Sequence, residues 1–295
     1  MTIVPFDQRD GVIWMNGAFV PWKDAKVHVL THALHYASAV FEGERAYGGE
    51  IFKLTEHTER LFASAEMLDM KIPYSVAEID AACRETLKRQ GHADAYVRPI
   101  AWRGSEMMGV AAQASKINVA IAIWQWPAYF DPKALDKGIR LDVAKWRRPD
   151  PVTIPCKAKA TGLYMICTLS KHEAERKGYA DAMMLDWRGQ VAECTGADIF
   201  FVKNGEIHTP TPDCFLDGIT RRTVMELARK RQIKVTERKI MPEELTGFES
   251  CFIVGTAAEV TPVGEIGPYN FMVSDLVKTL RADYLAEVQP KKKAA

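Results

Sequence analysis

Short alternating apolar segments on either side of a tight turn predict β-hairpins in both halves of the chain. Hairpins are predicted over residues 13–20 and 201–208, each centred on an Asn-Gly pair. This pair tolerates the positive φ angles that a two-residue hairpin turn requires. A third hairpin is predicted over residues 185–191, with its turn at an Arg-Gly pair. We therefore expect antiparallel strands in both halves.

Apolar positions three or four residues apart predict helices between these strands. The clearest helix starts at Ser75, which can form a capping box with Glu78, and ends at Gly91. Further helices are predicted over residues 55–68, 161–177 and 221–232, with a last one marked by Leu276, Leu280 and Tyr284. Strands in groups with helices beside them predict an α+β fold rather than a doubly wound parallel sheet.

A change in composition near residue 127 predicts that the chain divides into two domains. The apolar strand predicted over residues 118–124 gives way there to prolines and an aspartate. We predict a small N-terminal domain over residues 1–130, an interdomain loop over residues 131–137 and a larger C-terminal domain over residues 138–295.

Composition and charge narrow the classes of function. The chain has 295 residues, 47% of them apolar, so it can bury a sizeable core, and its formal net charge is +1. That balance gives no electrostatic reason to expect a nucleic-acid or membrane partner. The six cysteines are scattered and form no C-x-x-C pair, a pattern typical of a reducing compartment. With no apolar leader, and no apolar run long enough to span a bilayer, we predict a cytoplasmic protein.

Several common catalytic and ligand-binding motifs do not occur in the sequence. There is no dinucleotide-binding glycine motif, no P-loop, no H-E-x-x-H and no nucleophile elbow. His32 and His35 are three residues apart and could share a helix face. Without a cluster of further ligands nearby, a structural role is favoured over a metal site, and we predict no bound metal.

Seven short segments, in a fixed order along the chain, carry a more specific signal. They are H-A-L-H-Y with V-F-E-G at 32–43, H-T-E-R-L at 57–61, Y-V-R-P at 96–99, A-K-A with Gly162 and Tyr164 at 158–164, Glu193 with Gly196, D-G-I-T-R at 217–221, and G-T-A-A-E-V-T-P-V at 255–263. Each segment alone is weak evidence for any family. Together and in this order, they resemble the branched-chain amino-acid aminotransferases, which are pyridoxal-phosphate enzymes of fold type IV.

The resemblance implies both a fold and a reaction. The fold has a small N-terminal α/β sandwich domain and a larger C-terminal domain, in which a pseudo-barrel of mixed strands with flanking helices binds pyridoxal 5'-phosphate. The reaction is transamination of leucine, isoleucine or valine with 2-oxoglutarate, which gives 2-oxo acids and L-glutamate. The partners are then small molecules. Family members pair as homodimers or larger homo-oligomers, with a loop of one subunit completing the other's pocket.

The catalytic lysine implied by the resemblance is Lys159. Such a lysine must lose its proton to attack an aldehyde, and it then moves protons during the reaction. Lys157 is the rival, because two residues on one strand would face the same way. The motif selects Lys159, since the family's lysine lies five residues before the tyrosine, as Lys159 does before Tyr164.

The other implied site residues fall into two groups. The cofactor would be bound by Glu193 at the ring nitrogen, by Tyr164 at the ring oxygen, and by Arg60, Ile219, Thr220 and Thr256 at the phosphate. A carboxylate keeps the ring nitrogen protonated, and helix-opening amides suit a phosphate. The substrate would contact Tyr36, Phe41, Tyr96, Arg98, Val110, Trp126, Tyr129, Thr256 and Ala257.

Two departures from the family pattern lie near the site residues, and neither touches the imine chemistry. Glu44 stands where an aliphatic residue is common, and it is the departure that can reshape the substrate end. Asp198 stands where asparagine is commoner.

The alternatives within the fold are a D-amino-acid or amine transaminase and aminodeoxychorismate lyase. Tyr96 and Arg98 argue against these, because such relatives build their carboxylate site from other residues. A catalytically inactive binding relative is the alternative from a different class. Joint retention of four residues argues against it: Lys159, Glu193, Tyr164 and Arg60.

Overall fold

Both predicted Asn-Gly hairpins form in the computed structural model, which describes residues 4–126, 130 and 135–290. Strand β1 (Val12–Met15) pairs antiparallel with β2 (Ala18–Pro21), and the intervening Asn16 has a φ of 52°. The second hairpin has the same geometry, with Asn204 also at 52°. The third predicted hairpin forms too, but the turn between its strands is longer, covering residues 186–190.

Contacts group the described residues into two compact units. The first contains residues 4–126, 158–162 and 290, and the second contains residues 130, 135–157 and 163–289. The segment 158–162 therefore groups with the N-terminal elements and not with the predicted C-terminal domain around it. The predicted domain boundaries stay a prediction, since residues 131–134 lie outside the described part of the chain.

The first unit is a seven-stranded antiparallel sheet with two long helices packed on it. The strand order is β2-β1-β7-β6-β4-β5, and β3 pairs with β6. The remaining elements are α1 (His32–Tyr36), β3 (Ala39–Phe41), β4 (Glu44–Tyr47), β5 (Glu50–Ile51), α2 (Leu54–Met67), α3 (Val76–Gln90), β6 (Ala95–Arg103) and β7 (Ile117–Gln125). Helix α3 has the predicted capping box, in which the Ser75 hydroxyl accepts from the Glu78 amide at 3.3 Å and Glu78 accepts from the Ser75 amide at 2.7 Å.

The second unit is a nine-stranded mixed sheet, curled as half of a barrel, with helices beside it. The strand order is β10-β9-β8-β15-β14-β11-β12-β13, and β16 pairs with β15. Its elements are β8 (Ile139–Val143), α4 (Tyr164–Arg176), β9 (Asp181–Leu185), β10 (Val191–Cys194), β11 (Asp198–Lys203), β12 (Glu206–Pro210), α5 (Ile219–Lys230), β13 (Val235–Arg238), β14 (Ser250–Gly255), β15 (Glu259–Ile266), β16 (Tyr269–Asn270) and α6 (Asp275–Glu287). Two sheets with helices packed beside them confirm the predicted α+β class.

The predicted helix over 161–177 starts differently from the prediction. Residues Thr161–Leu163 form one turn of 3-10 helix, and the α-helix begins at Tyr164. Within the described ranges, no helix combines the length and the apolar character that crossing a membrane requires.

Candidate active site

In the first unit, Lys159 is held against strand β3 by its backbone. Its amide donates to the Ser64 hydroxyl at 3.0 Å, and its carbonyl accepts from the Phe41 amide at 3.1 Å. An antiparallel bridge between Val40 and Ala160 continues this contact. The Lys159 ammonium nitrogen lies 5.2 Å from the centre of the Phe41 ring. These contacts fix the backbone from which the lysine extends.

The two candidate lysines do not share a strand, contrary to the expectation from their spacing. Residues 156–158 form a turn, in which Lys157 is exposed, whereas Lys159 is half-buried. The chain changes direction between the two positions, so the period-two rule for strands does not apply to them. Only Lys159 is shielded in part from water.

Arg60 on α2 is bound by a buried carboxylate. Its Nε and Nη2 each donate to Glu42 at 2.7 Å, in a bidentate pair, and His57 Nδ1 lies 2.7 Å from the same carboxylate. Burial alone would raise the pKa of Glu42, but the charge and hydrogen bonds of Arg60 hold it well below its ordinary value. Burial lowers the pKa of His57, so its neutral ring donates from Nδ1 to the Glu42 carboxylate. The guanidinium is therefore fixed in orientation.

Glu44 on β4 is fully buried, and neither carboxyl oxygen has a hydrogen-bond partner among the described residues. Its effect on the substrate end stays a prediction. Burial, and then the charges of Glu42 and Asp80, raise its pKa well above the ordinary value, although Arg60 opposes this. The fold thus favours the protonated acid.

Replacing Glu44 by methionine is expected to raise the free energy of unfolding. A buried acid without a partner costs about 1–3 kcal/mol, and a side chain of similar length without the carboxyl removes that cost. Because the fold raises the pKa of Glu44, this residue lowers the free energy of unfolding more and more as pH rises above the ordinary glutamate pKa. The gain should therefore be larger at about pH 8 than at about pH 5 in denaturant titrations. The exposed Glu50→Met on β5 is the control, and an equal gain there would contradict the interpretation.

Tyr96 and Arg98 on β6 form a second group in the first unit. Arg98 Nη2 donates to the Tyr96 hydroxyl at 3.0 Å, and its guanidinium carbon lies 4.6 Å from the centre of the Phe41 ring. Gly43 makes room for the phenol, since a Cβ there would lie 2.1 Å from the Tyr96 hydroxyl oxygen. The Trp126 ring lies 4.6 Å from the Tyr96 ring, centre to centre.

The remaining predicted substrate residues of the first unit lie on its surface. Tyr36 ends α1, is 45% exposed and stacks on His32, while Val110 is 88% exposed in the loop before β7. His32 Nδ1 and Nε2 lie within hydrogen-bond distance of the Ser38 hydroxyl and the Gly109 carbonyl, and His35 Nε2 lies 3.0 Å from the Val29 carbonyl. The two histidines are thus directed at different partners. Tyr129 lies outside the described residues.

In the second unit, Glu193 on β10 is buried beside a buried arginine. Arg148 Nε lies 3.0 Å from Glu193 Oε1, and Arg148 Nη1 lies 3.4 Å from the Cys167 sulfur. Burial would lower the pKa of Arg148, but the Glu193 carboxylate, together with Cys167, Tyr164 and Cys214, raises that pKa. Tyr164 opens helix α4 and is half-buried.

Two backbone features of the second unit offer hydrogen-bond donors. Ile219 and Thr220 open helix α5 after Gly218, which has no side chain to cap the helix. The first amides of a helix have no intrahelical acceptor and suit an anion. Thr256 and Ala257 lie in the tight turn between β14 and β15, next to the paired residues Gly255 and Glu259.

A comparison with known protein families matches residues 39–266 to the class IV amino-transferase model. The chain belongs to the class IV aminotransferases. A probable branched-chain-amino-acid aminotransferase of Rickettsia felis is 44% identical, covering 90% of each chain. The Pseudomonas aeruginosa branched-chain-amino-acid aminotransferase is 44% identical, covering 88% of this chain and 85% of its own. The solved branched-chain amino acid aminotransferase of T.th. with pyridoxamine 5'-phosphate superimposes with a TM-score of 0.92 at 39% identity, covering 95% of each chain.

Family membership confirms the predicted fold type IV. Two charged residues next to the candidate site residues, Glu42 and Arg148, were not among those predicted from the sequence. Glu42 lies inside the V-F-E-G segment, so a charged residue in an otherwise apolar motif was the available signal. Arg148 had no comparable signal, because it lies outside the seven segments and eleven positions before Lys159. Each is a buried charged partner of a predicted cofactor-binding residue within its own unit.

Proposed function

We propose that this chain transfers the amino group of leucine, isoleucine or valine to 2-oxoglutarate and forms 2-oxo acids and L-glutamate. Membership of the class IV aminotransferases supports the reaction type. The observation that carries the substrate class is the Tyr96–Arg98 pair beside the Phe41 ring. A cation and a phenol next to an aromatic wall suit substrates that combine a carboxylate with an apolar side chain.

The residues present fit pyridoxal 5'-phosphate, the cofactor of this family. The second unit has a carboxylate that is buried beside Arg148, and a helix start without a side-chain cap. We propose that Glu193 binds the ring nitrogen, that Tyr164 binds the ring oxygen, and that Ile219, Thr220 and Thr256 bind the phosphate together with Arg60. When bound, the cofactor supplies the electron sink and carries the amino group between the two half-reactions.

Lys159 is proposed as the catalytic residue. Its Nζ would hold the cofactor aldehyde covalently in the resting enzyme. Once the substrate amine has displaced it, the freed Nζ would take the proton from the substrate α-carbon and return it. The backbone hydrogen bonds to Ser64 and Phe41 hold the lysine in place for that transfer.

Substrate recognition is proposed to combine side chains with a backbone turn. Tyr96 and the amides of Thr256 and Ala257 would bind the α-carboxylate, and Arg98 would bind the distal carboxylate of glutamate. Arg98 Nε is buried and has no hydrogen-bond partner among the described residues, so a donor is available to a carboxylate. Phe41, Tyr36, Val110, Trp126 and Tyr129 would form the apolar wall.

We also propose a homodimer or larger homo-oligomer, because the first unit has an uncovered apolar face. A groove of about 410 Å³ is lined mainly by apolar residues of β1, β6 and β7 and of the segment before α1. Val29 and Leu34 beside it are 70% and 63% exposed. An apolar face of this kind on a folded chain is typical of a protein interface, and a second copy would also cover the exposed Tyr36 and Val110.

Replacing Val29 and Leu34 together by glutamate is expected to separate the oligomer. Each change puts a charge on the exposed apolar face that forms the proposed interface, where desolvation is costly. We expect the molar mass measured by light scattering to fall to that of a monomer, with a loss of transaminase activity. Val152→Glu, which adds a charge at a 76% exposed valine of the second unit, is the control. An unchanged mass in the double variant would place the interface elsewhere.

A cytoplasmic location is proposed from the cysteines. All six are buried and free, as expected for a reducing compartment.

An assay panel tests the proposed reaction. L-leucine, D-alanine and a chiral amine are each supplied with 2-oxoglutarate, and L-glutamate formation is measured. We expect turnover with L-leucine and little with the other two donors. Turnover of D-alanine without turnover of L-leucine would contradict the substrate assignment.

A further inference from the structure

We propose that Asp198 competes with the cofactor phosphate at the start of helix α5 and so lowers the affinity of this chain for phosphorylated ligands. The inference rests on the proposed function, which assigns the amides of Ile219 and Thr220 to that phosphate.

The geometry at Gly218 places the acid at the end of the helix. An added Cβ on Gly218 would lie 2.1 Å from Asp198 Oδ2 and 3.2 Å from its Cγ. The carboxylate thus fills the space that the side chain of a capping residue normally takes. Asp198 is 6% exposed and is fixed as the first residue of β11, opposite Val254 on β14.

Two anions would then use one positive end of a helix. The start of a helix carries about half a positive charge, and a nearby carboxylate is stabilised there. A phosphate bound to the first amides of α5 would lie close to that carboxylate, beside residues that are themselves buried. Repulsion between like charges at such distances changes binding by an order of magnitude even when it is strongly screened.

The arginines in the first turn of α5 are paired with other acids. Arg221 donates to Asp217 and Glu237, both at 2.8 Å, and to the Pro210 carbonyl. Arg222 Nη1 lies 3.7 Å from Asp217. Each of these cations already lies beside an acid, and Asp217 is shared between them, which reduces the positive charge that they offer to a phosphate.

The test compares ligands with and without a phosphate on the Asp198→Asn variant. Asparagine keeps the shape and removes the charge. We expect pyridoxal phosphate to bind about tenfold more tightly to the variant, and pyridoxal, which lacks the phosphate, to bind as it does to the unaltered chain. Inorganic phosphate alone should raise the melting temperature of the variant more than that of the unaltered chain.

The control is Asp283→Asn, which changes the charge equally at the opposite end of the same helix, where Asp283 accepts from Arg231. If Asp198→Asn does not fold, Asp198→Ser carries the same test. The inference would be overturned if Asp198→Asn bound pyridoxal phosphate no more tightly than the unaltered chain, or if its affinity for pyridoxal rose by the same factor. Neither result would affect the proposed function. Failure of the unaltered chain to bind pyridoxal phosphate at all would overturn the proposed function and the inference with it.

Discussion

Replacing Lys159 by alanine is expected to lower kcat for L-leucine and 2-oxoglutarate by about a thousandfold or more. The variant loses both the amine that bonds to the cofactor and the group that moves the α-proton, and proton transfer alone contributes about 10²–10⁴-fold. Steady-state kinetics at saturating cofactor measures the loss. Thermal melting should show a folded protein, because Lys159 is held through its backbone and those hydrogen bonds remain in the variant.

Lys157→Ala is the matched control, because Lys157 is a neighbouring lysine that is exposed in a turn. We expect it to keep nearly full activity. Reduction of the unaltered enzyme with borohydride, followed by peptide mapping, should find the cofactor on Lys159. Full turnover by Lys159→Ala, or a label on Lys157, would exclude the proposed mechanism.

Replacing Glu193 by glutamine is expected to lower kcat by about a hundredfold or more. A neutral amide cannot hold a proton on the ring nitrogen by charge, so electrostatic stabilisation of the reacting state is lost. The change also leaves the buried Arg148 without its carboxylate, and breaking a buried ion pair costs about 3–5 kcal/mol of stability. We therefore expect a lower melting temperature together with the kinetic defect.

Two further variants separate the electronic effect from the loss of stability. Arg148→Gln breaks the same ion pair but keeps the Glu193 carboxylate, so it should lose stability with a smaller loss of kcat. Glu206→Gln, at a partly exposed ion pair with Lys234, should change neither property appreciably. An equal kcat for Glu193→Gln and the unaltered enzyme would remove the proposed role of this carboxylate.

Local elements could be predicted because short-range chemistry determines them. The two Asn-Gly hairpins and the Ser75–Glu78 capping box form as expected, since each depends on backbone geometry and hydrogen bonds within a few residues. Helix α4 begins three residues after its predicted start. Residues Thr161–Leu163 form a turn of 3-10 helix, and a sequence pattern does not distinguish such a turn from the first turn of an α-helix.

The surroundings of the candidate site residues could not be predicted in the same way. Glu42 meets Arg60 across eighteen positions, and Arg148 meets Glu193 across forty-five. Nothing in the local pattern around either residue requires its partner. The burial of Glu44 could not be predicted either, because an isolated acid on a strand normally faces water.

The amino-acid sequence alone was enough to predict the α+β class, the hairpins and the helix cap, and its ordered motifs predicted the family and the candidate residues. Three features depend on how the chain folds: which charges are buried together, how Lys157 and Lys159 differ in exposure, and the position of Asp198 at the start of α5. Hairpin turns and helix caps depend on φ, ψ and neighbours in the chain. The ionisation and exposure of a side chain depend on atoms that strand pairing and helix packing bring from distant positions.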